Sequence, residues 1–205
     1  MNIEVKNSQK AVDYTESMKI LEQRVDDVLS GKKKELLWVL EHKNVYTAGT
    51  SANKFDQIDK KIKVIKTNRG GKHTYHGEGQ KVVYFVLNLN KREKNIRKLL
   101  NNIEECIVGV LKDYGIKSHP DRKNIGIWIK KNNELYKIAA IGIKVRKWIA
   151  YHGFAINVSN DLTKYNAIIP CGIKNRKITS LNVLGIKKYK EINNVIIARF
   201  LNTFL

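Results

Sequence analysis

The chain has 205 residues, of which 42% are apolar and 28% charged, and its formal net charge is +20. This length suits one domain with its own core, and the apolar content argues against a disordered chain. The N-terminus lacks the apolar run of a signal peptide, and no stretch approaches the roughly 18 apolar residues of a membrane span. With only two cysteines, the sequence does not predict a disulfide framework. We expect a cytoplasmic monomer, not membrane-bound, in which residues 1–205 form a single domain.

The strong positive charge favours acidic partners, because opposite fields raise association rates. Nucleic acid, an anionic membrane surface and an acidic carrier protein all qualify. A biased composition is an alternative explanation, since lysine, asparagine and isoleucine are abundant throughout. RNA binding is disfavoured because the sequence has no aromatic RNP-type signature and no arginine-rich arm.

Hydrophobic periodicity predicts three helices, at residues 9–30, 95–112 and from about Glu191 to the C-terminus. Gly31 and Gly115 follow the first two helices as stop signals. Runs rich in β-branched and aromatic residues predict strands. These strands are Glu35–Glu41, residues 61–66, Val82–Leu89, Ile125–Ile129, Tyr136–Val145 and Trp148–Val158. Helices mixed with antiparallel-type strands indicate an α+β (mixed α/β) fold.

The stretch from Arg69 to Gln80, Arg-Gly-Gly-Lys-His-Thr-Tyr-His-Gly-Glu-Gly-Gln, has the densest set of functional residue types. It matches neither a P-loop nor a dinucleotide fingerprint, and a strand follows it. A glycine-rich hairpin connection is the simpler alternative. His73 and His76, with His152 or Cys171, could suggest a metal site, but no helical spacing or acidic cluster supports one. No metal or cofactor is expected.

The two cysteines differ in their surroundings. Cys106 lies in the apolar stripe of the second helix, which predicts a buried structural thiol. Cys171 lies between Pro170 and Gly172, which predicts a thiol presented on a loop. Lys137 precedes two alanines that leave room against the backbone, although a surface lysine at a strand edge is the ordinary interpretation.

Taken together, these segments resemble the lipoyl(octanoyl)transferase family, octanoyl-[acyl-carrier-protein]:protein N-octanoyltransferase. The stretch from Arg69 to Gln80 is similar to the family's glycine-rich signature. Lys137–Gly142, Tyr151–Asn157 and Ile169–Gly172 are similar to its later blocks, in family order. Glu41-His42 and Val45–Thr47 resemble an upstream block. Glu78 departs from the family's usual proline.

The resemblance implies a fold like the catalytic domain of lipoate- and biotin-protein ligases. It implies that Cys171 carries the acyl group as a thioester and that Lys137 lowers the pKa of that thiol. The acyl group passes from octanoyl-acyl carrier protein to a lysine of lipoyl-accepting domains. Those acceptors belong to 2-oxo-acid dehydrogenase complexes and to the glycine cleavage H protein. The segments expected to line the substrate site are Arg69, Gly70, Gly71, Lys72, His73, Thr74, Tyr75 and His76, then Ala140, Ile141 and Gly142, then Gly153, Phe154 and Ala155.

The resemblance therefore predicts an enzyme that performs the first step of endogenous lipoate synthesis on proteins. An ATP-dependent lipoate- or biotin-type ligase is the alternative. In that group the glycine-rich loop typically continues through His-Asp, whereas Gly77 follows His76 here. Backbone amides near Gly172 or in the Gly70-Gly71 loop are both candidates for stabilising the oxyanion.

Overall fold

The computed structural model describes residues 2–169 and 177–205, and in this part of the chain an eight-stranded sheet lies between helices on both of its faces. The strands of this sheet are β1 (Ile3–Asn7), β2 (Glu35–Leu40), β6 (Gln80–Asn88), β7 (His119–Pro120), β8 (Ile127–Lys131), β9 (Glu134–Arg146), β10 (Ile149–Asn157) and β11 (Lys177–Ile178). The helices are α1 (Tyr14–Leu29), α2 (Ile96–Asp113) and α3 (Ile192–Phe204). The predicted mixed α/β class is confirmed.

The strand order is β1-β2-β6-β10-β9-β8-β7, and β11 pairs with β9 outside that path. The pairs β1–β2 and β9–β11 are parallel, whereas β2–β6, β6–β10, β9–β10, β8–β9 and β7–β8 are antiparallel. The central strand β10 pairs along most of its length with β6 on one side and with β9 on the other. The long antiparallel contact of β9 with β10 runs from Ile149↔Arg146 to Ile156↔Ala139 and forms the floor of the site described below.

Strand β2 is buried on both faces, which explains its unbroken apolar run. Successive side chains of a strand point to opposite faces. Leu36, Trp38 and Leu40 accordingly join the core beneath α1. Leu37 and Val39 join the core beneath α2 and α3. The sheet thus separates two apolar layers.

The helix ends follow capping chemistry. The side chain of Asp13 accepts the backbone N–H of Glu16, so α1 begins at Tyr14. The predicted start at residue 9 is wrong, because Val12 forms an isolated parallel bridge with His42. Gly31 and Gly115 adopt φ values of +76° and +73° directly after α1 and α2, as their predicted role as stops requires.

A smaller sheet of order β4-β3-β5 consists of β3 (Val45–Ala48), β4 (Val64–Lys66) and β5 (His73–His76). Its strand β4 is shorter than the strand predicted over residues 61–66. Short 3-10 helices lie at Lys54–Asp56, Leu89–Lys91 and Leu162–Ala167. The sequence analysis did not predict strands β1, β3, β5, β7 and β11, each of which has at most five residues. Within the described residues, the helices are too short or too polar to cross a bilayer.

Candidate active site

A cavity of about 590 Å³ opens between the Arg69–Thr74 loop, strands β9 and β10, and the first turn of α2. Its apolar wall consists of Val82, Ile96, Leu100, Ile125, Ala139, Ala140, Ile141, Ile143, Phe154, Ala155 and Ile178. Polar groups such as His76, Lys137 and His152 interrupt that wall. A largely apolar cavity of this size with a few polar groups is typical of a small-molecule site.

The loop and strand β9 approach each other closely. The N–H of Gly70 donates to the carbonyl of Ile143 at 3.2 Å. A Cβ atom on Gly142 would lie 3.0 Å from the carbonyl oxygen of Gly70, and one on Gly70 would lie 3.0 Å from the carbonyl oxygen of Ile143. Any larger residue at either position would push the loop away from the strand. The two glycines therefore let the loop close one side of the cavity.

The guanidinium of Arg69 holds this loop from within. Its Nη2 donates to the carbonyl and Oγ1 of Thr47 at 3.2 and 2.7 Å and to the carbonyl of Lys72 at 3.0 Å. Its Nη1 donates to the carbonyl of Gly70 at 3.0 Å. Arg69 therefore ties the loop to β3, so its contribution to the site includes shaping the cavity wall.

Lys137 lies on β9 and is buried, with 7% of its surface exposed. Its Nζ donates to the carbonyl of Ile125 at 2.8 Å and lies 5.3 Å from the centre of the Trp128 ring. A carbonyl oxygen and an aromatic face both attract a positive charge. Strand β11 runs parallel to β9 and pairs Ile178 directly with Lys137, and Ile178 also lines the cavity. Lys137 is thus a buried hydrogen-bond donor in the wall of the cavity.

Three histidines lie in or behind the same wall. Nδ1 of His42 lies 2.9 Å from the carbonyl oxygen of Val12, which can only accept, so Nδ1 carries the proton and donates. In this neutral tautomer Nε2 accepts from the Tyr84 hydroxyl at 2.8 Å. Nδ1 of His76 lies 2.6 Å from Oε1 of Gln80. Burial lowers the pKa of His42 to about 4 and that of His76 to about 3.

His152 is the third of these histidines and has an unusual backbone. It adopts φ +68° within β10, and its Nε2 lies 2.6 Å from Oδ1 of Asn68. Burial, together with the charges of Arg69 and Lys144, lowers the pKa of His152 to about 3. A left-handed conformation in a non-glycine residue marks local strain of the kind found near functional sites.

The structure brings most of the predicted site residues together. The members that line the cavity are Arg69, Gly70, Gly71, Lys72, His73, Thr74, His76, Lys137, Ala140, Ile141, Gly142, Gly153, Phe154 and Ala155. Tyr75 does not line this cavity, and its hydroxyl donates to Oδ1 of Asn44 at 2.7 Å. Cys171 lies outside the described residues. Among residues 2–169 and 177–205, no group of three or more His, Cys, Asp or Glu converges as metal ligands would.

Several residues of the site were missed by the sequence analysis. Gln80 donates through Nε2 to Oδ1 of Asn157 and to the Tyr165 hydroxyl, both at 2.9 Å, and all three line the cavity. Ile125 and Trp128 contact Lys137 but were interpreted as ordinary strand residues. An available signal was Gly126, since a glycine within a strand pattern often marks a bulge or a close approach.

Comparison with known proteins agrees with this geometry. The lipoyl protein ligase A/B catalytic domain family matches residues 13–201. An octanoyltransferase of Anaplasma marginale (strain Florida) is 42% identical over 99% of this chain and 96% of its own length. An octanoyltransferase of Anaplasma phagocytophilum (strain HZ) is 46% identical over 90% of each chain.

A solved structure of a bi-partite lipoate protein ligase and its E2 lipoyl domain from Thermoplasma acidophilum superposes with a TM-score of 0.72. It covers 98% of this chain and 84% of that chain at 17% identity, which shows a shared fold. The chain therefore belongs to the lipoyl protein ligase A/B catalytic domain family. Both sequence relatives are octanoyltransferases, so within that family the chain groups with the acyltransferases.

Proposed function

We propose that this single-domain enzyme, residues 1–205, transfers an octanoyl group from acyl carrier protein to a lysine of a lipoyl-accepting domain through a thioester on Cys171. The observation that carries the proposal is the apolar cavity with Lys137 in its wall. Octanoyltransferases at 42% and 46% identity support the acyl group and the reaction class. The enzyme acts as a cytoplasmic monomer without a bound cofactor or metal.

The cavity suits a medium-length acyl chain. Burial of each methylene contributes about 0.8 kcal/mol, so about six methylenes contribute about 5 kcal/mol. The apolar side chains of Ile141, Ile143 and Phe154 line the wall along β9 and β10. A short acyl group would lose most of this contribution, which favours octanoyl over acetyl transfer.

The first chemical step exchanges one thioester for another. The thiolate of Cys171 attacks the carbonyl carbon of the octanoyl thioester, and a new C–S bond forms as the carrier's C–S bond breaks. The departing thiolate takes a proton from the Lys137 ammonium, which leaves Lys137 neutral for the second step. A nearby ammonium favours a thiolate, which is the role we assign to Lys137. The register Ile178↔Lys137 supports this pairing, because Ile178 follows Cys171 by only seven positions in the sequence.

In the second step the acceptor lysine attacks the acyl-enzyme through its neutral amine. The C–N bond forms, the C–S bond breaks, and the excess proton passes to Lys137 acting as a general base. Neither step requires ATP, because the thioester is already activated. The N–H of Gly70 is bonded to Ile143, so we assign oxyanion stabilisation to the amides of Gly71 and Gly172.

The donor and acceptor reach the cavity at a mouth that is apolar and basic. Ile96 and Ile125 line it with 47% and 49% of their surfaces exposed. Lys72 and Lys123 lie among the same lining residues. We propose that acidic acyl carrier protein docks here before it delivers the octanoyl group. The other partners are the lipoyl domains of 2-oxo-acid dehydrogenase complexes and the glycine cleavage H protein, and nucleic acid is not a partner.

The test is acyl transfer from octanoyl-acyl carrier protein to a lipoyl domain in the presence and absence of ATP. The proposal predicts equal rates in both. Activity that depends on ATP and free octanoate or lipoate would instead assign the chain to the ligases. Acetyl-acyl carrier protein serves as the matched donor and should react far more slowly.

Docking of the carrier is tested by the rate of acylation at increasing salt. We expect a falling second-order rate, and a smaller fall for Lys123→Gln. Lys188→Gln is the matched control, since Lys188 is exposed and does not line the cavity. If the rate does not depend on salt, the +20 net charge has no role in docking the carrier and reflects composition alone.

A further inference from the structure

The segment in front of Lys137, residues 121–128, contacts that lysine on two sides. The Ile125 carbonyl accepts from Nζ at 2.8 Å, and the Trp128 ring lies 5.3 Å from the same atom. The segment thus presents a backbone carbonyl and an aromatic face to the Lys137 nitrogen.

Strands β8 and β9 carry an irregularity at this point. Trp128 pairs with Lys137 and Ile127 pairs with Ala139, so the register shifts between the two neighbouring residues of β8. A bulge of this kind bends a strand and re-aims a side chain, and bulges are frequent beside active sites. The shift places Trp128 directly opposite Lys137 in the sheet.

Gly126 provides the space that the lysine side chain occupies. It adopts φ +139°, a conformation that favours glycine. A Cβ atom there would lie 2.4 Å from Cε and 3.0 Å from Nζ of Lys137, and 2.7 Å from the carbonyl oxygen of Ala139. Any other residue would therefore displace Lys137 or open the strand pair.

The rest of the segment is fixed by its own hydrogen bonds. Oδ1 of Asp121 accepts the backbone N–H groups of Lys123 at 2.9 Å and Asn124 at 3.2 Å. The Asn124 carbonyl accepts from Nε1 of Trp128 at 2.9 Å. The carbonyl that holds Lys137 thus belongs to a turn anchored at both ends.

We propose that residues 121–126 form a positioning turn, in which the Ile125 carbonyl and the space left by Gly126 aim the Lys137 ammonium for its reaction. This inference rests on the proposed function, in which Lys137 activates the Cys171 thiol. Gly126 and Trp128 act through Lys137 and are positioning residues. A displacement of about 1 Å in such a group lowers a rate on the order of 10²-fold.

The test is Gly126→Ala, with the rate of thiol alkylation measured against pH. Burial raises the pKa of the Cys106 thiol to about 12, so alkylation near neutral pH reports on Cys171. We expect a higher thiol pKa, a turnover number lowered by about 10-fold to 10²-fold, and a little-changed KM for the donor. Gly115→Ala is the matched control, because Gly115 also has a positive φ, +73°, but no atom lies within 4 Å of its added Cβ.

Two further variants make the result decisive. Trp128→Phe keeps an aromatic face near Lys137 but removes the Nε1 donor, and it should shift the thiol pKa in the same direction by less. If Gly126→Ala does not fold, the result with Trp128→Phe decides. Lys137→Ala must raise the thiol pKa, or the proposed function itself fails. If Lys137→Ala raises it while folded Gly126→Ala and Trp128→Phe both leave it unchanged, the positioning turn alone is wrong.

Discussion

Basic side chains in and behind the wall of the cavity lie in two opposite electrostatic settings. We call Lys137 and its neighbours Ile125, Gly126 and Trp128 the lysine corner. The histidine wall consists of His76 and His152, which line the cavity, and His42, which lies behind them against His76. In the lysine corner a carbonyl and an aromatic face meet the basic nitrogen. In the histidine wall burial dominates, and the positive charge of Arg69 adds to it at His76 and His152.

The difference separates the roles of the two groups. Burial without full compensation disfavours the charged form of a basic group, so the three histidine rings stay neutral and act as hydrogen-bonding and packing groups. The lysine corner instead presents a carbonyl oxygen and an aromatic face to the Lys137 nitrogen. We therefore propose the lysine corner as the place of proton transfer.

The largest expected effect comes from removing the lysine itself. Lys137→Ala should lower turnover by about 10²- to 10⁴-fold, the usual contribution of a general acid–base group. Lys137→Arg keeps the charge but does not deprotonate in this range, so acylation should be partly retained while transfer to the acceptor stays slow. Single-turnover measurement of the two steps separates them. Equal losses in both steps for the arginine variant would contradict the two roles.

Acid should destabilise the fold through the histidine wall. The pKa values of His42, His76 and His152 are lowered to about 4, 3 and 3, whereas an unfolded histidine titrates near 6.5. Below pH 6.5 the unfolded chain therefore takes up protons that the folded chain does not. The free energy of unfolding should fall as pH falls from 6.5 toward 4, by up to about 1.4 kcal/mol per pH unit for each histidine.

Urea unfolding at pH 7 and pH 5 measures this effect, and His76→Asn isolates one histidine. Asparagine keeps a donor toward Gln80 but does not titrate. The loss of stability between the two pH values should be smaller in the variant by about 2 kcal/mol at most. An unchanged pH dependence would show that His76 is not held neutral by the fold.

A smaller effect is expected from Arg69→Lys. Lysine cannot reproduce the planar set of donors toward Thr47, Gly70 and Lys72, so the glycine loop should loosen. We expect a loss of roughly 1–3 kcal/mol in unfolding free energy and a higher KM for the acyl donor. Arg199→Lys is the control, because its partner Asp113 lies at the surface, and it should change little.

The smallest effect on activity is expected from Cys106→Ala. Cys106 is buried within the core under α2, and its thiol pKa is raised to about 12, so it is not a nucleophile. The variant should keep full transfer activity while losing about 1 kcal/mol of stability from the smaller side chain. Thermal unfolding with an activity assay checks both. Loss of transfer without loss of folding would show that the wrong cysteine was assigned.

The sequence predicted those features that depend on local pattern. Helix α2 was found because its buried residues recur along one face, and Gly115 marks its end. The glycine-rich segment was found because its residue types are dense and its family resemblance is specific. In contrast, the first helix was predicted to start too early, since the bridge between Val12 and His42 depends on a distant strand.

Local pattern gives one signal of the lysine corner, Gly126 within a strand-like run, and that signal does not identify the partner. Ile125 and Trp128 look like ordinary strand residues, and the strand predicted from Ile125 begins instead at Ile127. The carbonyl of Ile125 bonds to Lys137, and Gly126 leaves the extended conformation to admit that side chain. Such contacts arise from the register of β8 on β9, which composition and periodicity do not encode.

The most direct test of the account is the intact mass of the protein after mixing with octanoyl-acyl carrier protein in the absence of ATP and acceptor. The account predicts a gain of one octanoyl group, lost on treatment with hydroxylamine as a thioester is, and present in Cys106→Ala. It predicts no gain in Cys171→Ser. Two results would contradict the thioester intermediate. One is an octanoyl group on folded Cys171→Ser, and the other is no octanoyl group on unaltered protein whose transfer activity has been shown in a separate assay.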